Sequence, residues 1–180
     1  MGERSLAISN IIRSLYMLLM LPGWGYNMAV GTIVSNLIGQ GKTEDVMKTI
    51  KKTLSLSVAT ALMLALILLI CPSFWISVFT DQASLIQETI PVLYVISGAL
   101  IIFSFSWTLL GAVEGTGNTK ITLLLDIITL GCYLSSSYFL VMILKSNITI
   151  VWMAEFVYLS ILGILCVLYL LSGKWKLLKL

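Results

Sequence analysis

Apolar residues run along this chain in long blocks. Four segments stand out, Leu54–Cys71, Thr89–Leu110, Ile121–Leu144 and Ile148–Leu171, each near the roughly 20 residues that cross a bilayer core. A fifth block, Ile8–Ile38, is apolar apart from Arg13 and a few amides and hydroxyls, and it is broken by "PGWG" at Pro22–Gly25. As one helix it measures roughly 46 Å, against a core of about 30 Å. It must therefore tilt, kink at Pro22 or extend past the core. The pattern predicts an all-α fold, a polytopic membrane bundle of five transmembrane helices. Their bounds are expected at about 8–40, 46–71, 86–114, 119–144 and 148–172, in one membrane domain over 1–180. Between the second and third spans, "PSFWISVFTDQASLIQE" reads as an amphipathic stretch whose Phe74, Trp75 and Phe79 suit a headgroup interface.

Composition agrees with the pattern. The chain is 59% hydrophobic and 11% charged, with mean hydropathy +1.04, well outside the range of soluble domains. Histidine is absent, which removes the commonest metal ligand and general base. Cys71, Cys132 and Cys166 fall in separate segments without metal-ligand spacing and read as small apolar fillers. "MGERSLAISN" lacks the parts of a signal peptide, and "NIT" at Asn147–Thr149 is a chance-level glycosylation pattern. No metal site, enzyme chemistry or nucleic-acid partner is indicated.

One motif points elsewhere. "IGQGKT" at Ile38–Thr43 ends as a phosphate-binding loop ends, but the glycine required five positions before Gly41 is Asn36, and the segment leading in is too long for a strand. No nucleotide is expected. The stretch instead reads as a helix end, with Gly39 and Gly41 as the stop, Thr43 as the cap of the next helix, and Glu44 and Asp45 at its positive dipole end.

Basic residues set the expected orientation. Lys42, Lys48, Lys51, Lys52, Lys120, Lys174, Lys176 and Lys179 fall on one side, and Arg4, Arg13 and Lys145 on the other. The first group is expected in the cytosol, with the C-terminus, and the N-terminus outside a cell (inner) membrane. An exterior start with so short a leader suggests that an upstream helix is missing.

The order of these features resembles a known family. "LAISNIIRSLYMLLMLPGWGYNMAVGTIVSNLIGQGK" is similar to the second helix of a half-transporter in the multidrug and toxic compound extrusion (MATE) family. "LLGAVEGTGNTKIT", with Gly115 and Gly117, resembles that family's cytoplasmic turn, and "VWMAEFVYLSILGILCVLYLLSGKWK" its last helix and basic tail. The resemblance implies helices eight to twelve of twelve, an incomplete half of a two-lobe antiporter. Such proteins export small cationic or amphipathic drugs in exchange for protons or sodium by alternating access, without a cofactor. The implied partners are the lipid bilayer and the missing N-terminal lobe and seventh helix, or a second chain. Alone, the fragment is expected to be inactive. Alternatives are a lipid-linked oligosaccharide flippase of the same superfamily and a non-transporting scaffold subunit. In the family, sodium-binding members use carboxylates on the first and fourth helices of this lobe. Here Thr89–Leu110 carries no acid, and the nearest, Glu114, reads as a solvated residue at the helix end.

Ionisable groups at depth are expensive and so mark candidate sites. Asp126 is placed about 8 Å inside the cytoplasmic boundary and Glu155 about 10 Å below the outer one, too far apart to share an ion. Arg13 lies at a depth close to that of Glu155, and the two are expected to pair. Asp126 belongs to a polar stripe of Thr119, Thr122, Thr129, Tyr133, Ser136 and Ser137. Either the stripe lines a solvated cavity, with Asp126 holding a proton, cation or basic substrate, or its hydroxyls bond helix carbonyls. Glu155 shares a face with Trp152, which fits either an aromatic-walled cation site or the ion pair. Ser97, Ser104, Thr108, Gly111 and Gly115 form a line suited to close helix packing. At "PGWGYN" the alternatives are a true helix break with Trp24 and Asn27 facing a ligand, or a proline kink at Pro22 that only shapes the bundle.

Overall fold

In a computed structural model that describes residues 3–177, five helices are long and apolar enough to cross a membrane. Lys179 lies outside the described residues. In order, the helices are α1 (Glu3–Gly39), α2 (Thr43–Ile70), the short α3 (Pro72–Ser77), α4 (Ala83–Gly115), α5 (Thr119–Tyr138), α6 (Ile148–Trp152) and α7 (Ala154–Ser172). A π-helical turn, Phe139–Ile143, finishes α5, and a 3-10 turn, Lys174–Leu177, follows α7. The fold is all-α, a multi-pass membrane bundle.

Helix α4 is the central strut. It packs against α1, α2 and α7, and its buried residues run round the whole helix, as expected of a span enclosed by protein on every side. Lipid supplies no hydrophobic drive for helices to associate, so close backbone contact and interhelical hydrogen bonds must hold them. Glycines provide the first. A Cβ built on Gly111 would stand 2.3 Å from the Asn27 carbonyl oxygen, and one on Gly115 would stand 2.5 Å from that of Gly31. A methyl group cannot occupy either place without moving the backbone, so α1 and α4 touch along this line.

Hydroxyls provide the second. Ser57 of α2 and Ser104 of α4 share a short hydrogen bond; Ser104 also donates to the Ser57 carbonyl at 2.9 Å, and Thr108 donates to the Ser57 hydroxyl at 2.8 Å. On the other side of α4, Ser106 donates to the Leu159 carbonyl of α7 at 2.7 Å. The small-residue line on the third span thus serves packing.

Pro22 does not break α1, which is helical from Glu3 through Gly39. The missing N–H of Pro22 costs one bond to the preceding turn. The next residue, Gly23, leaves room for the Phe103 ring, which would lie 2.5 Å from an added Cβ. Of the two alternatives at "PGWGYN", the true break is not formed: the helix is continuous and braced by α4.

At the lysine-rich end the chain turns as glycine permits. Gly41 and Gly117 have φ of 74° and 77°, conformations costly for residues with a Cβ. Lys42 and Gly41 donate their N–H groups to Leu37 and Ile38 at 2.9 Å each and close α1. The expected cap is shifted by one residue: Lys42, not Thr43, occupies the N-cap of α2, without a side-chain cap bond. Glu44 and Asp45 do lie in the first turn, and Asp45 pairs with Lys48 at 3.1 Å. The tail folds back here as well. Trp175 is fully buried among Val46, Ile50, Val113 and Leu170, and its indole N–H donates to the Leu170 carbonyl at 2.9 Å. At the opposite end Ile8, Ile12, Leu68, Ile76 and Val92 form a second core, with Ile148 and Trp152 against it.

This packing sets the expected outcome of three substitutions. Gly111→Ala should destabilise the bundle by about 1–3 kcal/mol. Gly131→Ala, where an added Cβ meets nothing within 4 Å, should be neutral or stabilising by up to about 1 kcal/mol. Thermal unfolding in detergent, followed by circular dichroism, compares the two. In the same assay, Trp175→Ala should cost about 3–5 kcal/mol by emptying a closed site.

Candidate functional site

Three of the polar sequence candidates, Arg13, Tyr133 and Glu155, line one cleft beside α1, α5 and α7. A cleft of about 380 Å³ at the end opposite the lysine-rich loops is lined by Ser9, Asn10 and Arg13 of α1, Tyr133 of α5, Val151 and Trp152 of α6, and Glu155 of α7. The last span is interrupted between α6 and α7 at Met153, whose N–H bonds back to Ile150 and Val151 carbonyls. Glu155 consequently stands in the first turn of α7.

The expected ion pair is not formed. Among the described residues, the ion pairs within 4.0 Å are Arg4 with Glu88 and Lys48 with Asp45. Arg13 and Glu155 instead look into the same cleft from different walls, Arg13 exposed and Glu155 half-buried. Arg13 stands on α1 and Glu155 on α7, with the Tyr133 hydroxyl beside Glu155.

Aromatic residues build the cleft wall and the layer behind it. Tyr133 meets Tyr158 edge-to-face at 5.7 Å between centroids, and Tyr16 meets Trp152 edge-to-face at 6.3 Å. Tyr16 is only 5% exposed, and its hydroxyl has no hydrogen-bond partner among the described residues. Burying such a group unpaired costs about 1–3 kcal/mol. The Ser137 hydroxyl, close to Tyr133, is also buried without a partner. The sequence pattern singled out Arg13, Tyr133 and Glu155 but missed Tyr16. The available signal was its position one helical turn after Arg13.

The remaining sequence candidates lie elsewhere. Asp126 is exposed on α5, away from this cleft, and makes no ion pair among the described residues. Thr129 is buried and donates its hydroxyl to the Leu125 carbonyl at 2.6 Å; Thr122 and Ser136 likewise donate to Asn118 and Tyr133 carbonyls of their own helix. For these three, the polar stripe serves the helix backbone. Asn27 donates its side-chain amide to the Trp107 carbonyl of α4 at 3.0 Å, which ties α1 to α4. Trp24 is 37% exposed on the surface of α1 and is not brought to the cleft. Glu114 is exposed, as expected, but it lines a shallow groove with Asn27, Thr32, Ser35 and Asn36. Tertiary packing alone creates that neighbourhood.

What the arrangement offers chemically is an anionic carboxylate, a guanidinium and an aromatic wall around a volume suited to a small organic molecule. Comparison with known proteins places the chain in a family. The probable multidrug resistance protein NorM of Thermotoga maritima is 24% identical over 157 residues, which cover 87% of this chain and 34% of the relative. The chain thus spans about a third of the length of that curated relative. No solved structure gives a significant match. A family model described as MatE matches residues 1–139, more than three quarters of the chain, and with five membrane-spanning helices in the order that its motifs suggest, the chain belongs to the MatE family.

Proposed function

We propose that this chain forms part of a secondary antiporter that exports small cationic or amphipathic molecules in exchange for protons or sodium. The observation that carries this reading is an unpaired Glu155, beside Tyr133 and Trp152, on a cleft large enough for such a molecule in a MatE-family bundle. Carboxylates held unpaired at membrane depth are costly and are retained where they bind something. An aromatic wall next to the carboxylate adds affinity for organic cations.

In this reading the chain acts as one membrane unit and supplies one side of a transport pathway. The lysine-rich loops, with the C-terminus, lie in the cytosol of a cell-membrane protein and the cleft opens to the exterior. Asp126 lies on the other flank of the pathway as a second acidic group. A further lobe, in the same polypeptide or in a second chain, supplies the opposing wall, because alternating access requires two bodies moving about a common site. NorM of Thermotoga maritima, of which this chain matches about a third, is named for multidrug resistance, and that is consistent with the proposed cargo.

Two measurements test the reading. Ethidium should bind the purified chain in lipid nanodiscs, and Glu155→Gln should weaken binding by about tenfold or more, the loss expected for one charge-assisted contact. Absence of ethidium binding to the unmodified chain would overturn the proposed site. In proteoliposomes the chain alone should leave an ethidium gradient undisturbed; robust cation-driven movement by the chain alone would show that no further lobe is required.

A further inference from the structure

The cleft carries two opposite charges that do not neutralise each other. Arg13 and Glu155 look into it from α1 and α7, and no ion pair closes between them. Opposite charges at membrane depth ordinarily pair, because each is costly alone. Here the volume of about 380 Å³ stands between them. Around Glu155 are the features that favour an ammonium: a carboxylate, the Tyr133 hydroxyl and the Trp152 ring. Around Arg13 are groups suited to an anion: five guanidinium donors, with the Asn10 amide and the Ser9 hydroxyl on the same wall. Behind the Trp152 wall, Tyr16 stands edge-to-face at 6.3 Å, and its buried hydroxyl has no partner among the described residues.

A simple cation answers Glu155 but is repelled by Arg13, which it leaves unpaired. A simple anion does the reverse. We infer that the cleft selects zwitterions, compact aromatic molecules that carry both an ammonium and a carboxylate, with the ammonium on Glu155 and the carboxylate on Arg13. This rests on the reading of the cleft as a ligand site and specifies the ligand's charge pattern. Planar bidentate pairing of guanidinium with carboxylate supplies orientation as well as affinity. The molecule then lies across the cleft with its ring against Trp152.

A matched series of probes separates the terms. Tryptophan, tryptamine and indole-3-propionate share the indole and differ in charge, being zwitterion, cation and anion. Their binding to the full chain in lipid nanodiscs is measured by isothermal titration calorimetry. Tryptophan should bind about tenfold or more tighter than either of the others, the gain expected from a second charge-assisted contact. Arg13→Gln should abolish the preference for tryptophan over tryptamine by weakening tryptophan and tightening tryptamine as the repulsion is lost; the retained tryptamine binding also shows that the variant is folded. Arg13→Lys should restore part of the preference. Glu155→Gln should weaken tryptophan and tryptamine together and spare indole-3-propionate. Equal binding of tryptophan and tryptamine, or an Arg13→Gln variant that keeps the preference, would overturn the zwitterion inference and leave the cation site standing. If none of the three probes binds while ethidium does, the zwitterion inference falls alone; if ethidium fails as well, the ligand-site reading falls with it.

Discussion

Everything in this bundle depends on how closely α1 approaches α4. In a bilayer the surroundings are as apolar as the side chains, so burying leucine against leucine gains little. What remains is direct backbone contact and polar bonds that have no competitor in the lipid. Gly111 and Gly115 let the α4 backbone reach that of α1 near Asn27 and Gly31, and Asn27 adds its amide bond to Trp107. That seam fixes the rotation of α1. With the rotation fixed, Tyr16 turns inward onto Phe103 and Trp152, and Arg13 is carried to the edge of the cleft.

The other helices are attached to the same strut by a different device. Ser57, Ser104 and Thr108 bind α2 to α4, and Ser106 binds α7 to it. By contrast α5 is held chiefly by α7, and most of its surface is exposed. A weakly held helix carrying Asp126 and Tyr133 beside firmly held ones carrying Arg13 and Glu155 is an arrangement in which one cleft wall moves more easily than the others. Exposed leucines and isoleucines along α5, such as Leu123, Ile127 and Leu134, meet lipid or further protein in a membrane.

Much of this was legible in the chain because the bilayer imposes a simple code. Block length gives the spans, glycines mark the turns at Gly41 and Gly117, and rare charges mark Arg13 and Glu155. Local rules decide less where a tertiary contact intervenes. "PGWG" leaves a break and a kink open, and with Phe103 in the space beside Gly23 the helix runs on through Pro22. Arg13 and Glu155 read as a pair on depth alone, yet depth says nothing about rotation about the helix axis or about the interruption at Met153 that puts Glu155 at a helix start. For Thr129 the stripe leaves a site role and a helix-carbonyl bond open, and its hydroxyl bonds the turn before it.

The sequence by itself determined that this is an all-α, multi-pass membrane protein, where its turns fall and which few residues carry charge at depth. These follow from apolar length and from the cost of charge in hydrocarbon, and both are read one residue at a time. Only the tertiary structure decided which of those residues meet. It kept Arg13 and Glu155 on one cleft without pairing them, left the Tyr16 hydroxyl buried and unsatisfied, and gave the Asn27 amide to helix packing. The reason is geometric: contact between distant helices depends on their relative rotation, and rotation is set by the glycine seam and hydroxyl bonds, a few short contacts between residues dozens of positions apart.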